Sequence, residues 1–218
     1  MNFSAALKRP FTDWKKLLIG MALYVVPILN IVTGIFVGGY LFRCMQTALR
    51  GEQKLPEWSQ WGQLFIKGLL MALIGIIYAM PVIILVVFVA GATLAGVFVG
   101  GNDIREIFAA LGMLVFLILF LVLLISYVVP GAMLQFAKTE RFGAAFALGM
   151  VGKTLATSQY FTAWITVIGL TILTGIIAAL AAMALSITII GPMIVYAFLQ
   201  IVMGIISMTL FGSVERQA

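Results

Sequence analysis

Polar side chains nearly vanish from five stretches of this chain, 17–42, 64–100, 107–134, 164–190 and 192–211. A helix needs roughly 20 apolar residues to cross a hydrocarbon core of roughly 30 Å. The third, fourth and fifth stretches therefore predict one crossing each. Gly191-Pro192 marks the expected break between the last two, because proline cannot continue the hydrogen bonds of a preceding helix. The second stretch is too long for one straight crossing, about 55 Å at roughly 1.5 Å per residue. Pro81 divides it, and one crossing is expected near 74–95. Trp58 and Trp61 precede it as interface anchors, where an amphipathic ring sits half wet.

The first stretch is the ambiguous one. Pro27 and Asn30 lie three apart in its middle, where a straight spanning helix wants neither. Proline can end one helix and open another, and Asn30 can cap a second arm. The reading is a helical hairpin with arms over 14–29 and 31–49, either re-entrant or two short spans. Backbone groups freed at such a turn need protein or water around them rather than lipid.

Charge decides between a kink and a reversal. Lys8, Arg9, Lys15 and Lys16 precede the first stretch, and Arg43, Arg50 and Lys54 follow it. The next loop holds Arg105 with Asp103 and Glu106, and the one after holds Lys138, Arg141 and Lys153. Short loops rich in Lys and Arg stay cytoplasmic. Every loop obeys that rule only if the first stretch crosses an even number of times. Both termini are then expected in the cytoplasm, in a multi-pass protein of the inner (cytoplasmic) membrane. The N-terminal charges followed by a short apolar run mimic a secretory signal, but no small-x-small cleavage site follows, so the segment reads as retained.

Composition fits that frame. With 64% hydrophobic residues, 9% charged and a mean hydropathy of +1.21, the chain reads as one membrane-embedded domain over 1–218. The fold class expected is all-α: a polytopic membrane bundle of four spanning helices, an N-terminal hairpin and cytoplasmic interfacial helices. The net charge of +6 flanks the apolar stretches. It is assigned to topology and lipid headgroups rather than nucleic acid, with Lys15, Lys16, Arg43, Arg50, Lys138, Arg141 and Lys153 as the headgroup contacts. Phe142, Phe146 and Met150, spaced by four between Lys138 and Lys153, predict an amphipathic helix lying on the leaflet.

Small residues offer packing faces. Gly34 and Gly38 form a GxxxG pair, and Gly68, Ala72, Gly75 and Ala79 form a stripe entering the second stretch.

Chemistry is scarce. There is no histidine and only one cysteine, Cys44, which removes His-based zinc sites, histidine-dependent nucleophiles and any internal disulfide. No carboxylate falls within an assigned crossing, so acid–base catalysis and proton relays inside the membrane lack their groups. The expectation is no enzyme, no cofactor and no metal. The polar residues left in the spans are mild. Thr and Ser usually satisfy their own helix, whereas Asn30 and Gln200 are costlier to bury and stand as candidates for cross-helix contacts or a neutral-substrate path.

Several pieces resemble a prokaryotic integral-membrane family known as domain of unknown function 4013. They are Val26-Pro27-Ile28-Leu29-Asn30, Gly39-Tyr40-Leu41, Leu49-Arg50-Gly51-Glu52, Leu55-Pro56-Glu57-Trp58 with Trp61-Gly62, and Arg141-Phe142-Gly143-Ala144-Ala145-Phe146. The likeness runs over about 14–211 and implies a multispan helical protein without an activity. The leading functional expectation is a non-enzymatic scaffold or assembly subunit, a homo-oligomer or part of a membrane complex, with membrane lipids as partners. The alternative is a channel, carrier or lipid transporter for a neutral or amphipathic solute.

Overall fold

A computed structural model describes residues 3–25, 30–98, 104–185, 188 and 190–214. Eight α-helices carry these residues: α1 (Phe3–Lys8), α2 (Trp14–Val25), α3 (Asn30–Leu49), α4 (Trp61–Phe98), α5 (Ile104–Thr139), α6 (Leu148–Leu155), α7 (Ser158–Ala184) and α8 (Ile190–Val214). Two 3-10 turns, Arg9–Thr12 and Phe142–Phe146, complete them. Among the described residues there is no strand. Four helices are long and apolar enough to cross a membrane, with candidate spans Trp61–Thr93, Leu111–Thr139, Ser158–Ala184 and Ile190–Val214. They correspond to the second through fifth apolar stretches.

The boundaries differ from expectation in instructive ways. Pro81 and Pro130 both lie inside helices, and α4 runs through Pro81 without interruption. A spanning helix tolerates proline when neighbouring groups re-satisfy the freed carbonyl. Trp61 is the first residue of α4 itself rather than part of a separate lead-in. The break between the last two helices falls between Ala184 and Ile190, not at Gly191-Pro192. Leu185 closes α7 by donating its N–H to the Ala181 carbonyl. Pro192 occupies the first turn of α8, where its missing N–H has no intrahelical partner to lose. The predicted leaflet helix between α5 and α7 is two pieces, a 3-10 turn and α6, divided at Ala147. Phe142 and Phe146 turn inward, Phe142 edge-on to Phe136 at 6.5 Å and Phe146 stacked on Tyr78 at 5.6 Å.

The chain does reverse between α2 and α3. Lys16, at the start of α2, reaches Leu55 and Glu57, which follow the end of α3. The Thr33 hydroxyl donates to the Leu23 carbonyl across the reversal, at 2.7 Å. Pro27 lies outside the described residues, and Asn30 opens α3.

Packing is concentrated at one end. The buried core draws on Leu64, Met71 and Ile74 from α4, Ala132 to Ala137 from α5, Tyr160 and Ala163 from α7, and Ala197 to Val214 from α8. In α4, α5 and α7 these are the halves nearest the Lys- and Arg-rich loops, whereas the buried positions of α8 run over most of its length. The far halves of α4, α5 and α7 present large apolar side chains outward, with Phe88 74% and Met113 73% exposed. The most apolar window of α8 is half buried, while those of α5 and α7 are not buried at all. Helix α8 is thus the post against which α1, α2, α3 and α7 pack.

Candidate functional site

Two regions gather polar side chains, a network at the basic end and a cleft halfway along α8.

At the basic end, Arg9 is the centre. Its side chain is 1% exposed although it follows a short, otherwise unremarkable N-terminal helix. Nη1 donates to the Cys44 carbonyl and to Thr209 Oγ1, each at 2.9 Å, and Nη2 to Thr47 Oγ1 at 2.5 Å and the Lys54 carbonyl at 3.2 Å. Burial draws the guanidinium pKa down, countered by Cys44, Tyr40 and Glu52; an arginine nevertheless stays charged at any pH a protein tolerates. No carboxylate bonds it directly among the described residues; a fan of neutral oxygens solvates it, as a charge out of water requires.

Around it, the Lys16 ammonium lies 2.6 Å from Glu57 and 3.3 Å from Asp13 and donates to the Leu55 carbonyl at 2.9 Å. Burial opposes the Lys16 charge, but Glu57 and Asp13 outweigh it and raise the pKa. Arg43 donates to the Ser59 carbonyl and to Gln60 Oε1. Lys67 meets Glu140 at 3.0 Å and lies over the rings of Phe42 and Phe136 at 5.3 and 5.4 Å. These contacts bring the N-terminal segment, the α3–α4 loop, the end of α5 and the end of α8 to one end of the molecule.

Of the residues assigned to headgroups, Lys16 and Arg43 thus spend donors on the protein itself. Lys15, Arg50, Lys138, Arg141 and Lys153 are exposed at the same end. Of the two anchors, Trp58 is turned inward, stacked on Tyr40 with centroids 3.8 Å and planes 3° apart, and donates its indole N–H to the Lys16 carbonyl. Trp61 remains exposed against Phe36.

The packing residues divide as sharply. A Cβ on Gly68 would stand 1.8 Å from the Ile35 carbonyl oxygen, and one on Gly39 would stand 1.9 Å from that of Leu64. Gly38 approaches Gly68 Cα as well. The α3–α4 crossing is therefore backbone on backbone. Gly39 escaped the i, i+4 pattern, and its signal was the doublet Gly38-Gly39. Gly34 is half-buried on α3 and Ala72 is exposed. A Cβ on Gly75 would meet nothing within 4 Å, and with Ala79 this glycine lines an outward-facing apolar groove of about 410 Å³ beside Pro130.

The cleft lies between α2, α3, α7 and α8 and holds about 410 Å³, within the range of about 300–1,000 Å³ usual for small-molecule sites. Tyr24, Thr171, Thr174, Tyr196, Gln200 and Ser207 supply its polar lining. The two threonines donate to their own helix, to the carbonyls of Val167 and Leu170. The side chains of Tyr24, Tyr196, Gln200 and Ser207 make no hydrogen bond with any described residue, although they stand in an otherwise apolar setting. No ionisable Lys, Arg, Asp or Glu lines the cleft, and among the described residues no cluster could hold a metal ion. Gln200 was legible from sequence as a costly polar residue; its convergence with Tyr24 was not. The side chain of Asn30, the other candidate, lies outside the described residues.

Fold and site together define an all-α polytopic membrane bundle with a neutral polar cleft in its side. The family model described as Protein of unknown function (DUF4013) matches residues 22–184, well over half of the chain, and the chain belongs to that family. The match ends at the last residue of α7, so α8 and its share of the cleft lie beyond it. No curated protein and no solved structure matches the chain.

Proposed function

We propose that this protein is a non-enzymatic membrane protein that takes a neutral, amphipathic molecule into the α7–α8 cleft, acting as a carrier or lipid transporter. The observation that carries this reading is the convergence of four polar side chains, Tyr24, Tyr196, Gln200 and Ser207, which make no hydrogen bond among the described residues, in one cleft of an otherwise apolar region. An amide left without a partner in such surroundings costs free energy, so the cleft is completed by a molecule that hydrogen-bonds. The absence of histidine and of membrane-buried carboxylates in the sequence supports a binding role over catalysis. The basic end faces the cytoplasm in this reading, with both termini there, and its exposed lysines and arginines meet anionic headgroups.

The test uses photoactivatable diacylglycerol and photoactivatable phosphatidylglycerol in nanodiscs carrying the full chain. Diacylglycerol is expected to crosslink to α8 peptides in excess over phosphatidylglycerol, and Gln200→Leu to remove the excess. Equal crosslinking of both lipids in both proteins would sink the reading.

A second reading, a scaffold that self-associates, is favoured by the Gly75–Ala79 groove, a small-residue face with open space where a Gly75 side chain would stand. Such faces let membrane helices approach closely. Gly75→Leu is expected to shift the particle to smaller mass in mass photometry if that groove joins two copies, and to leave it unchanged otherwise.

A further inference from the structure

The cleft is a stripe rather than a spot. Tyr196, Gln200, Gly204 and Ser207 follow one another at i, i+4, i+8 and i+11 along one face of α8, the spacing that keeps side chains on one side of a helix. At about 1.5 Å per residue, Tyr196 and Ser207 stand about 16 Å apart along the axis. That is about half the thickness of a hydrocarbon core of about 30 Å. Tyr196 lies six positions after the start of α8 and Ser207 seven before its end, so the stripe is centred on the helix. It covers the depth at which a polar group would otherwise be least solvated.

The stripe is also open sideways. Thr171 and Gly175 on α7 and Tyr196 on α8 are exposed at its mouth. A Cβ on Gly175 would meet nothing within 4 Å, so this position keeps the mouth wide. A polar head could occupy the cleft while its acyl chains remain in the bilayer.

The chemistry of the lining selects the head. Hydroxyls and one amide offer both donors and acceptors, and even the threonine oxygens that donate to their own helix keep acceptor capacity. No fixed charge is present in the lining. A phosphate or ammonium head would surrender hydration with no counter-charge to replace it. A head bearing several hydroxyl groups would exchange its water for Gln200, Ser207 and the two tyrosines as it moved along α8.

Resting on the reading of the cleft as a site for neutral amphiphiles, we propose that it is a passage by which lipids with an uncharged, polyhydroxylated head, a sugar or polyol, cross the membrane midplane. The acyl chains stay in lipid throughout and no covalent bond changes. Two hydrogen bonds gained by the head at mid-passage correspond to at least about a tenfold faster crossing.

The experiment reconstitutes the full chain into vesicles with monoglucosyl diacylglycerol labelled on an acyl chain with a dithionite-sensitive fluorophore, and separately with labelled phosphatidylglycerol. Dithionite bleaches the outer leaflet. Bleaching of the sugar lipid is expected to run past the outer-leaflet half, at least about tenfold faster than in protein-free vesicles, while phosphatidylglycerol stays at the half. Gln200→Leu with Ser207→Ala is expected to abolish the excess. So is Gly175→Leu, which fills the mouth at an open position without removing a polar group, so loss in both variants is not a folding failure. Sugar lipid that stays at the half, with diacylglycerol crosslinking to α8 intact, overturns the passage and leaves the binding site standing. Loss of both overturns the binding reading as well, and equal movement of the two lipids overturns the selection of neutral heads.

Discussion

Arg9 donates a hydrogen bond to Thr209 across 200 residues of chain, at 2.9 Å. With its bonds to Cys44, Thr47 and Lys54, it ties the N-terminal segment to the loop end of α3 and the last turns of α8. The guanidinium suits this task because its planar fork reaches several acceptors at once, as an ammonium cannot.

Arg9→Lys is therefore expected to destabilise the protein. Two or more charged hydrogen bonds are lost, on the order of 3 kcal/mol. Arg9→Leu is expected to cost at least as much, since it leaves the same oxygens buried. Thermal unfolding in detergent, followed by tryptophan fluorescence, measures both; midpoints within a degree of the parent would refute the role given to Arg9.

Glycine contacts separate two kinds of small residue. Gly68→Ala forces a Cβ against the Ile35 carbonyl, and Gly39→Ala does the same against that of Leu64. Each is expected to push α3 from α4 and cost about 1–3 kcal/mol or more. Gly75→Ala meets open space and is expected to unfold like the parent. Equal midpoints for Gly68→Ala and Gly75→Ala would contradict the backbone-on-backbone crossing.

Acid should loosen the tie between α4 and α5. The hydrogen bond from Lys67, then that from Gln46, holds the Glu140 carboxyl below its ordinary range. A depressed native pKa contributes stability that is whole above the ordinary glutamate value, about 4.3, and is lost as pH falls through the native value. The pair is half exposed, so the effect is at most about 1 kcal/mol. In a pH series of unfolding midpoints, Glu140→Gln is expected to flatten the acid limb and leave the neutral region slightly lower.

Single cysteines can report which loops share a side, because the native thiol of Cys44 is fully buried and should stay silent toward an impermeant maleimide. Glu52→Cys and Arg141→Cys are expected to label only from the cytoplasmic side, and Arg105→Cys only from the other. Labelling of Glu52→Cys and Arg105→Cys from one side would refute the orientation.

How much of this was readable beforehand follows from what each feature depends on. The four spanning helices were legible because length and apolarity are properties of a continuous segment, and the bilayer sets a fixed length. The reversal between α2 and α3 was legible too. Charge on both sides of one apolar stretch favours a reversal over a kinked single span, and Lys16 beside Glu57 is its geometric counterpart. Spacing by four places Phe142, Phe146 and Met150 on one helical face only if the helix between α5 and α7 is continuous, which spacing alone does not reveal. The break at Ala147 sends the two phenylalanines inward instead.

Sequence by itself determined that this chain is an all-helical bundle with spans of membrane length and its basic loops grouped together. Tertiary structure alone decided which small residues meet a backbone, which arginine is buried rather than exposed, and which polar side chains converge. Hydropathy and charge act along the chain and can be summed residue by residue. The depth of Arg9, the contact at Gly39 and the cleft at Gln200 each depend on which faces of distant helices come together, and that is set by packing.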